Sequence, residues 1–257
     1  MNGDLYTFVA HQHLPYANPM GVETMDRAVA LLDLPEDASV CEFGAGFCEL
    51  ALQVATRWGA KVAAIELSPR IGAGAQERID RHIRQRGAHA KGGVSLLRGD
   101  AGTFRPSFAP ESFDLCVCIG ATHALGGYHK ALEVMHKLTR PRGKILLGEG
   151  FWTSPEPSPS YLAATGIAAD EFMLHFENVE QGVEAGLETM WAATATQRAW
   201  DEYEWAHSRA IEEFARRHPG DADAKEMLER SRNWRRAYLR WGREHLGFGL
   251  YLFRKPG

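Results

Sequence analysis

From about residue 40 onward, short and almost continuously apolar runs alternate with longer stretches of helical period. The runs fall at 40–43 (VCEF), 62–67 (VAAIEL), 94–100 (VSLLRGD), 113–120 (FDLCVCIG) and 144–150 (KILLGEG). A strand covered on both faces has no polar side, so such runs predict a parallel sheet with helices on each face. The stretches at 49–58, 71–86 and 128–139 predict those helices, the last stopped by Pro141 and Gly143. The expected fold class is α/β, a doubly wound, Rossmann-like sheet.

Beyond residue 150 the pattern changes. A Pro/Ser connector at 152–160 leads to a helical stretch at 161–176 and a β-branched run at 187–196. Two long helices follow, 198–217 and 222–245, separated by His218-Pro219-Gly220. Met227, Trp234, Tyr238, Trp241 and His245 form a stripe on the second, which reads as a core-facing side with arginines on the other faces. The run at 248–255 returns to the sheet as a strand. At the front, AHQHLPYANP (10–19) reads as a lid, with Asn18-Pro19 opening a helix toward Leu32. The expected organisation is one domain, 1–257: an N-terminal lid and helix (1–36), a cofactor-binding core (37–150), a helical cover (151–186 and 197–247) and a last strand pair (187–196 and 248–255).

Composition narrows the partners. A chain of 257 residues, 45% hydrophobic, buries a full core, and no apolar run reaches the roughly 20 residues that span a bilayer. The first residues lack the basic-then-apolar order of a signal peptide, so a cytoplasmic protein without a membrane partner is expected. A net charge of -4, with both signs interspersed, recruits no nucleic acid. Cys41, Cys48, Cys116 and Cys118 lie in apolar segments without C-x-x-C spacing and read as buried thiols. His11 and His13 have no third ligand nearby, and no metal is expected.

The candidate chemistry begins at EFGAGFCE (42–49). It departs from the dinucleotide fingerprint G-x-G-x-x-G, because Glu49 stands at the third glycine. Glu42, two residues before Gly44, would also oppose a pyrophosphate: two negative charges about 4 Å apart repel by about 1 to 4 kcal/mol. A carboxylate at the entrance suits a cationic cofactor without phosphate, and S-adenosyl-L-methionine, with its ammonium and sulfonium, is one. Two further acids end the next strands, at the rim where open α/β sheets bind ligands. Glu66 is placed to accept from ribose hydroxyls and Asp100 from an adenine amino group.

VCEFGAGF, AAIELS, LLRGDAGTF, FDLCVCIGATHALGG and LTRPRGKILLGEG together resemble the class I S-adenosylmethionine-dependent methyltransferases over residues 40–150. The resemblance implies a seven-stranded sheet of order 3-2-1-4-5-7-6 with the last strand antiparallel. It places Glu42, Gly44, Gly46, Glu66, Leu67, Asp100, Ala101 and Ile119 at the cofactor; Cys48 replaces a glycine common in the family. A narrower resemblance, to small bacterial methyltransferases, is carried by HLPYANP, GATHALGG, GEGFW, WDEYE and the closing GFG at 247–249. It does not reveal the acceptor; the covering elements, which would enclose the pocket, point to a small molecule whose reacting atom, oxygen, nitrogen or carbon, stays open. His123 and Glu149, beyond the fourth and fifth strands, are the candidate catalytic groups, and His13, Tyr16, Asn18, Trp152 and Tyr203 the candidate lid or acceptor contacts. Two alternatives stand beside this reading: a nicotinamide-dependent oxidoreductase, opposed by Glu42 and Glu49, and a protein that binds S-adenosylmethionine without turnover.

Overall fold

A computed structural model of the chain describes residues 1–87, 91–104 and 107–257. The first strand, β1 (Ser39–Phe43), lies between β2 (Lys61–Glu66) and β4 (Phe113–Ile119) and is parallel to both. Beyond β2 lies β3 (Gly93–Arg98); beyond β4 lies β5 (Thr139–Trp152), again parallel. β7 (Leu246–Arg254) runs antiparallel to β5 and to the edge strand β6 (Glu188–Thr194). The order is β3-β2-β1-β4-β5-β7-β6, as the resemblance implied. The order reverses between β1 and β4, so the glycine loop after β1 opens at the crevice where such sheets take ligands.

Strand alternation explains the continuous apolar runs. Val40, Val62, Ala64, Leu115, Val117 and Leu146 enter one core, shared with α2 (Val22–Leu31), α3 (Glu49–Trp58) and α4 (Pro69–Arg86). Cys41, Phe43, Ile65, Cys116, Cys118, Ile145 and Leu147 enter the other, beneath α6 (Tyr128–Leu138) and α8 (His175–Glu184). Between β3 and β4 lies the short α5 (Ala101–Phe104). All four cysteines are buried and free. Among the described residues, no helix is long and apolar enough to cross a membrane.

Several local expectations are corrected. The helix after the lid starts at Val22, not Pro19, because the Asn18 side chain accepts the Met20 N–H at 3.0 Å and makes a turn there. A further helix, α1 (Gly3–His11), precedes the lid loop, capped by Asn2, whose side chain accepts the Leu5 N–H at 3.0 Å. β5 begins at Thr139, directly after α6, and absorbs Pro141 and Gly143 in a register shift with Arg142 at φ 66°. The helical stretch at 161–176 is divided: α7 (Pro159–Thr165) ends at Gly166, φ 74°, before α8 starts. α9 (Gln197–Arg217) matches its expectation, whereas α10 (Ala222–Ala237) passes into a π turn, Tyr238–Gly242, before the short α11 (Arg243–His245). Of the stripe expected to face the core, Met227 and Tyr238 are buried, whereas Trp234, Trp241 and His245 are half-buried.

Candidate cofactor and acceptor site

The loop after β1 is built from left-handed residues: Gly44 at φ 68°, Gly46 at 55° and Cys48 at 61°. The two glycines serve different ends. A Cβ on Gly44 would lie 2.3 Å from the Ala121 Cβ, so this glycine lets the loop pack against the segment following β4. A Cβ on Gly46 would meet nothing within 4 Å, so its backbone faces open space. Its N–H donates to Glu66 Oε2 at 2.9 Å, while the Ala45 N–H donates to the Ile65 carbonyl at 2.9 Å.

Glu42 is 6% exposed, and its Oε2 has no hydrogen-bond partner among the described residues. Burial first, and the neighbouring Glu66 second, push its carboxyl up to about 8. It lines a narrow cavity of ≈ 40 Å³ together with Tyr16, Asn18, Gly44, Gly46 and Ile119. The Tyr16 hydroxyl is also buried without a hydrogen-bond partner among the described residues. Orphaned buried polar atoms cost about 1 to 3 kcal/mol each. A donor set of this kind, an acid and a phenol beside an open glycine backbone, fits a ligand bearing an ammonium group.

Glu66 is 8% exposed and accepts from Gly46 through one oxygen and from the Ser68 N–H, at 2.8 Å, through the other. Leu67 follows it and is 64% exposed, an apolar surface at the rim beside that acid. Asp100 is exposed; its Oδ1 accepts the N–H groups of Gly102 at 2.7 Å and Thr103 at 3.3 Å, capping α5, whose first residue, Ala101, is buried. Each of these two acids is therefore also a brace of the backbone, a task the sequence reading did not foresee.

The segment expected to form a lid is held by Tyr203, one of its expected contacts, and by Arg78 and Asp4, which the sequence reading missed. Arg78 on α4 pairs with Glu49 at 3.3 Å and donates to the carbonyls of Gln12 at 3.4 Å and Leu14 at 3.3 Å. Its guanidinium also lies 4.7 Å from the centroid of the Phe47 ring. Asp4 accepts from the Ser68 hydroxyl and pairs with Arg70 at 3.2 Å, fastening α1 to the start of α4. On the cover side, the Thr7 carbonyl takes the His11 Nδ1 proton at 2.8 Å, which leaves Nε2 to accept the Tyr203 hydroxyl at 2.9 Å. Burial lowers the His11 pKa, in keeping with a neutral ring. His13 is exposed at the surface of the lid.

The residues expected on the acceptor side separate. Glu149 alternates with Ile145 and Leu147 toward the α6 face, where its Oε2 accepts the Thr122 hydroxyl and burial raises its pKa. Glu42 alternates with Val40 toward the opposite face. His123 is exposed in the turn after β4. Trp152, 3% exposed, is the centre of a cluster with Tyr161 and Ala237 and donates its indole N–H to the Ala169 carbonyl at 2.8 Å.

Residues 40–143 match the methyltransferase domain family. The uncharacterized protein YjhP of Escherichia coli is 23% identical over 248 residues, 96% of each chain. A SAM-dependent methyltransferase from Geobacter sulfurreducens, solved with S-adenosyl-L-homocysteine, superposes with a TM-score of 0.86 at 23% identity, covering 97% of both chains. One from Thiobacillus denitrificans, solved with the same compound, gives 0.83 at 24% identity over 96% of both.

Proposed function

We propose that this chain, which contains a methyltransferase domain and has the fold of the class I S-adenosylmethionine-dependent methyltransferases, moves a methyl group from S-adenosyl-L-methionine to a small molecule. The observation that carries the cofactor is Glu42: a buried, unpartnered carboxylate oxygen beside an open glycine backbone at the switch point of the sheet. Glu42 and Tyr16 would hold the amino-acid end, Gly46 would let it approach, and Glu66, Leu67, Asp100, Ala101 and Ile119 would surround the nucleoside. Bound there, the cofactor supplies an electrophilic methyl on a sulfonium.

The protein's share is alignment and exclusion of water. The lid, clamped by Arg78 and by the Tyr203–His11 hydrogen bond, closes one side; α7, α9 and α10 close another. An enclosed acceptor is a small one, and the net charge of -4 disfavours nucleic acid. Glu149, with Thr122 fixing its carboxyl, is the group placed to hold or deprotonate an acceptor. His123, exposed beside it, is the other candidate.

Calorimetry with S-adenosyl-L-methionine, S-adenosyl-L-homocysteine and NAD(H) tests the cofactor, and tight binding of NAD(H) alone would reverse the assignment. Labelled-methyl transfer into a metabolite extract then distinguishes an enzyme from a protein that only binds the cofactor. With the acceptor so found, Glu149→Gln is expected to lower kcat by about 10² to 10⁴ while cofactor affinity stays unchanged.

A further inference from the structure

The helical cover carries a second groove, of about 660 Å³, between α1, α7, α9 and α10. Glu204 lies at its base, 5% exposed. Its Oε1 accepts the Trp200 indole N–H at 3.3 Å and its Oε2 the Trp234 indole N–H at 2.9 Å. Both donors are neutral, and no lysine or arginine pairs with Glu204 among the described residues. A buried carboxylate is ordinarily matched by a cation or metal. Burial accordingly pushes this one up to about 7.

The walls suit positive charge. Tyr6, Tyr203 and Trp234 line the groove, presenting aromatic rings in the same space as the carboxylate. His207, packed edge-on against Tyr6 at 5.5 Å, is neutral, since burial lowers it to about 3. One cation already uses this surface: the exposed Arg230 guanidinium lies 5.1 Å from the Tyr6 centroid, with no carboxylate partner among the described residues. At the base, Trp200 packs edge-on against Phe248 at 6.4 Å, and the Phe248 ring borders Gly120 at the end of β4. Two rings thus join the groove to the rim of the cofactor site.

We propose that this groove binds an organic cation, a protonated or quaternary amine, whose charge rests between Glu204 and the rings of Tyr6, Tyr203 and Trp234. The attraction combines an ion pair in a partly desolvated site with cation–π contact. Arg230 occupies the mouth in the free protein and gives way to the ligand. The proposal goes beyond the methyltransferase reading, because binding here requires no turnover.

The test is a calorimetric titration at pH 8 with choline and butylammonium, alongside 3,3-dimethylbutan-1-ol, the uncharged isostere of choline, and acetate. Saturable binding of a cationic probe, with the isostere and acetate at least about tenfold weaker, is expected. Glu204→Gln should lose about tenfold or more in affinity, Tyr6→Leu should weaken binding as well, and Arg230→Ala should tighten it by removing a competing cation. Melting temperature and S-adenosyl-L-homocysteine affinity, measured on the same preparations, show whether each variant is folded. Should Glu204→Gln not fold, Tyr6→Leu and Arg230→Ala carry the test. No saturable binding of either cation, equal binding of the isostere, or an unchanged affinity in Glu204→Gln would overturn the proposal. Failure of wild-type protein to bind S-adenosyl-L-homocysteine would count against the methyltransferase reading and leave this site standing.

Discussion

Glu66 accepts the backbone N–H of Gly46 at 2.9 Å, tying the end of β2 to the glycine loop that follows β1. Its other oxygen accepts from Ser68, at the start of α4. The carboxylate therefore braces the backbone of the candidate site. Glu66→Ala would strand two amide donors, and we expect it to lose about 2 to 3 kcal/mol, or about 4 to 10 °C in Tm, together with cofactor affinity. Asp100→Ala, at an exposed cap, should lower affinity with only a small change in Tm. Thermal melts and titrations of the two variants check this; equal melting of both would remove the bracing role.

The two loop glycines should separate in the same way. Gly44→Ala meets Ala121 at 2.3 Å and holds an alanine at φ 68°, so folding suffers first, through overpacking of about 1 to 3 kcal/mol and left-handed strain of about 1 to 2 kcal/mol. Gly46→Ala adds a methyl to open space, at the cost of strain alone, and should weaken cofactor binding more than it weakens the fold. Chemical denaturation beside calorimetry separates the effects. A normally stable Gly44→Ala protein would contradict the packing at Ala121.

The sheet was legible because β1, β2 and β4 are buried on both faces, which leaves an unbroken apolar run as the signal. Glu42 was legible for a different reason: its charge is at odds with the phosphate that glycine loops usually hold. α1 escaped notice because its buried Val9 and Ala10 pack with Ile211 and Met227 on the cover rather than on the sheet, within one nine-residue helix. β5 was read too short, since Pro141 and Gly143 mark a turn in sequence but are taken up by a bulge. Arg78 left no local trace at all; its lid partners lie 64 and 66 residues away and meet it only after folding.

Glu42 links stability to pH. Its folded pKa, about 8, is raised from an ordinary 4.5, so the folded state keeps a proton that the unfolded chain releases. Stability from this group is fully present below about pH 4.5 and is lost as pH rises toward 8, at up to about 1.4 kcal/mol per pH unit. Glu204, raised to about 7, acts in the same direction. Ligand-free Glu42→Gln should therefore melt higher than wild type at pH 8 and match it more closely near pH 5. With S-adenosyl-L-homocysteine present the order should reverse, because the ammonium would lose the carboxylate proposed to hold it. An apo Tm of Glu42→Gln that lies below wild type at pH 8 would refute the linkage.

Arg78 supplies the clearest test of the lid. Its guanidinium joins three things in one place: the Glu49 carboxylate at the start of α3, the Phe47 ring of the glycine loop, and two carbonyls of the lid loop. Lysine has one ammonium and cannot span a carboxylate and two carbonyls in a fixed fork. Arg78→Lys should therefore keep the charge and most of the stability but loosen the lid. Because a lid retards escape more than entry, the loss should fall on the dissociation rate, with cofactor leaving about tenfold faster and the association rate changing little. Stopped-flow displacement of S-adenosyl-L-homocysteine measures both rates. Faster proteolysis between residues 12 and 20 in the variant, suppressed by the ligand, would accompany the change. If both rates match wild type, the contacts of Arg78 are packing alone, and the Tyr203–His11 hydrogen bond and the contacts of Asp4 with Ser68 and Arg70 are left to fasten the lid.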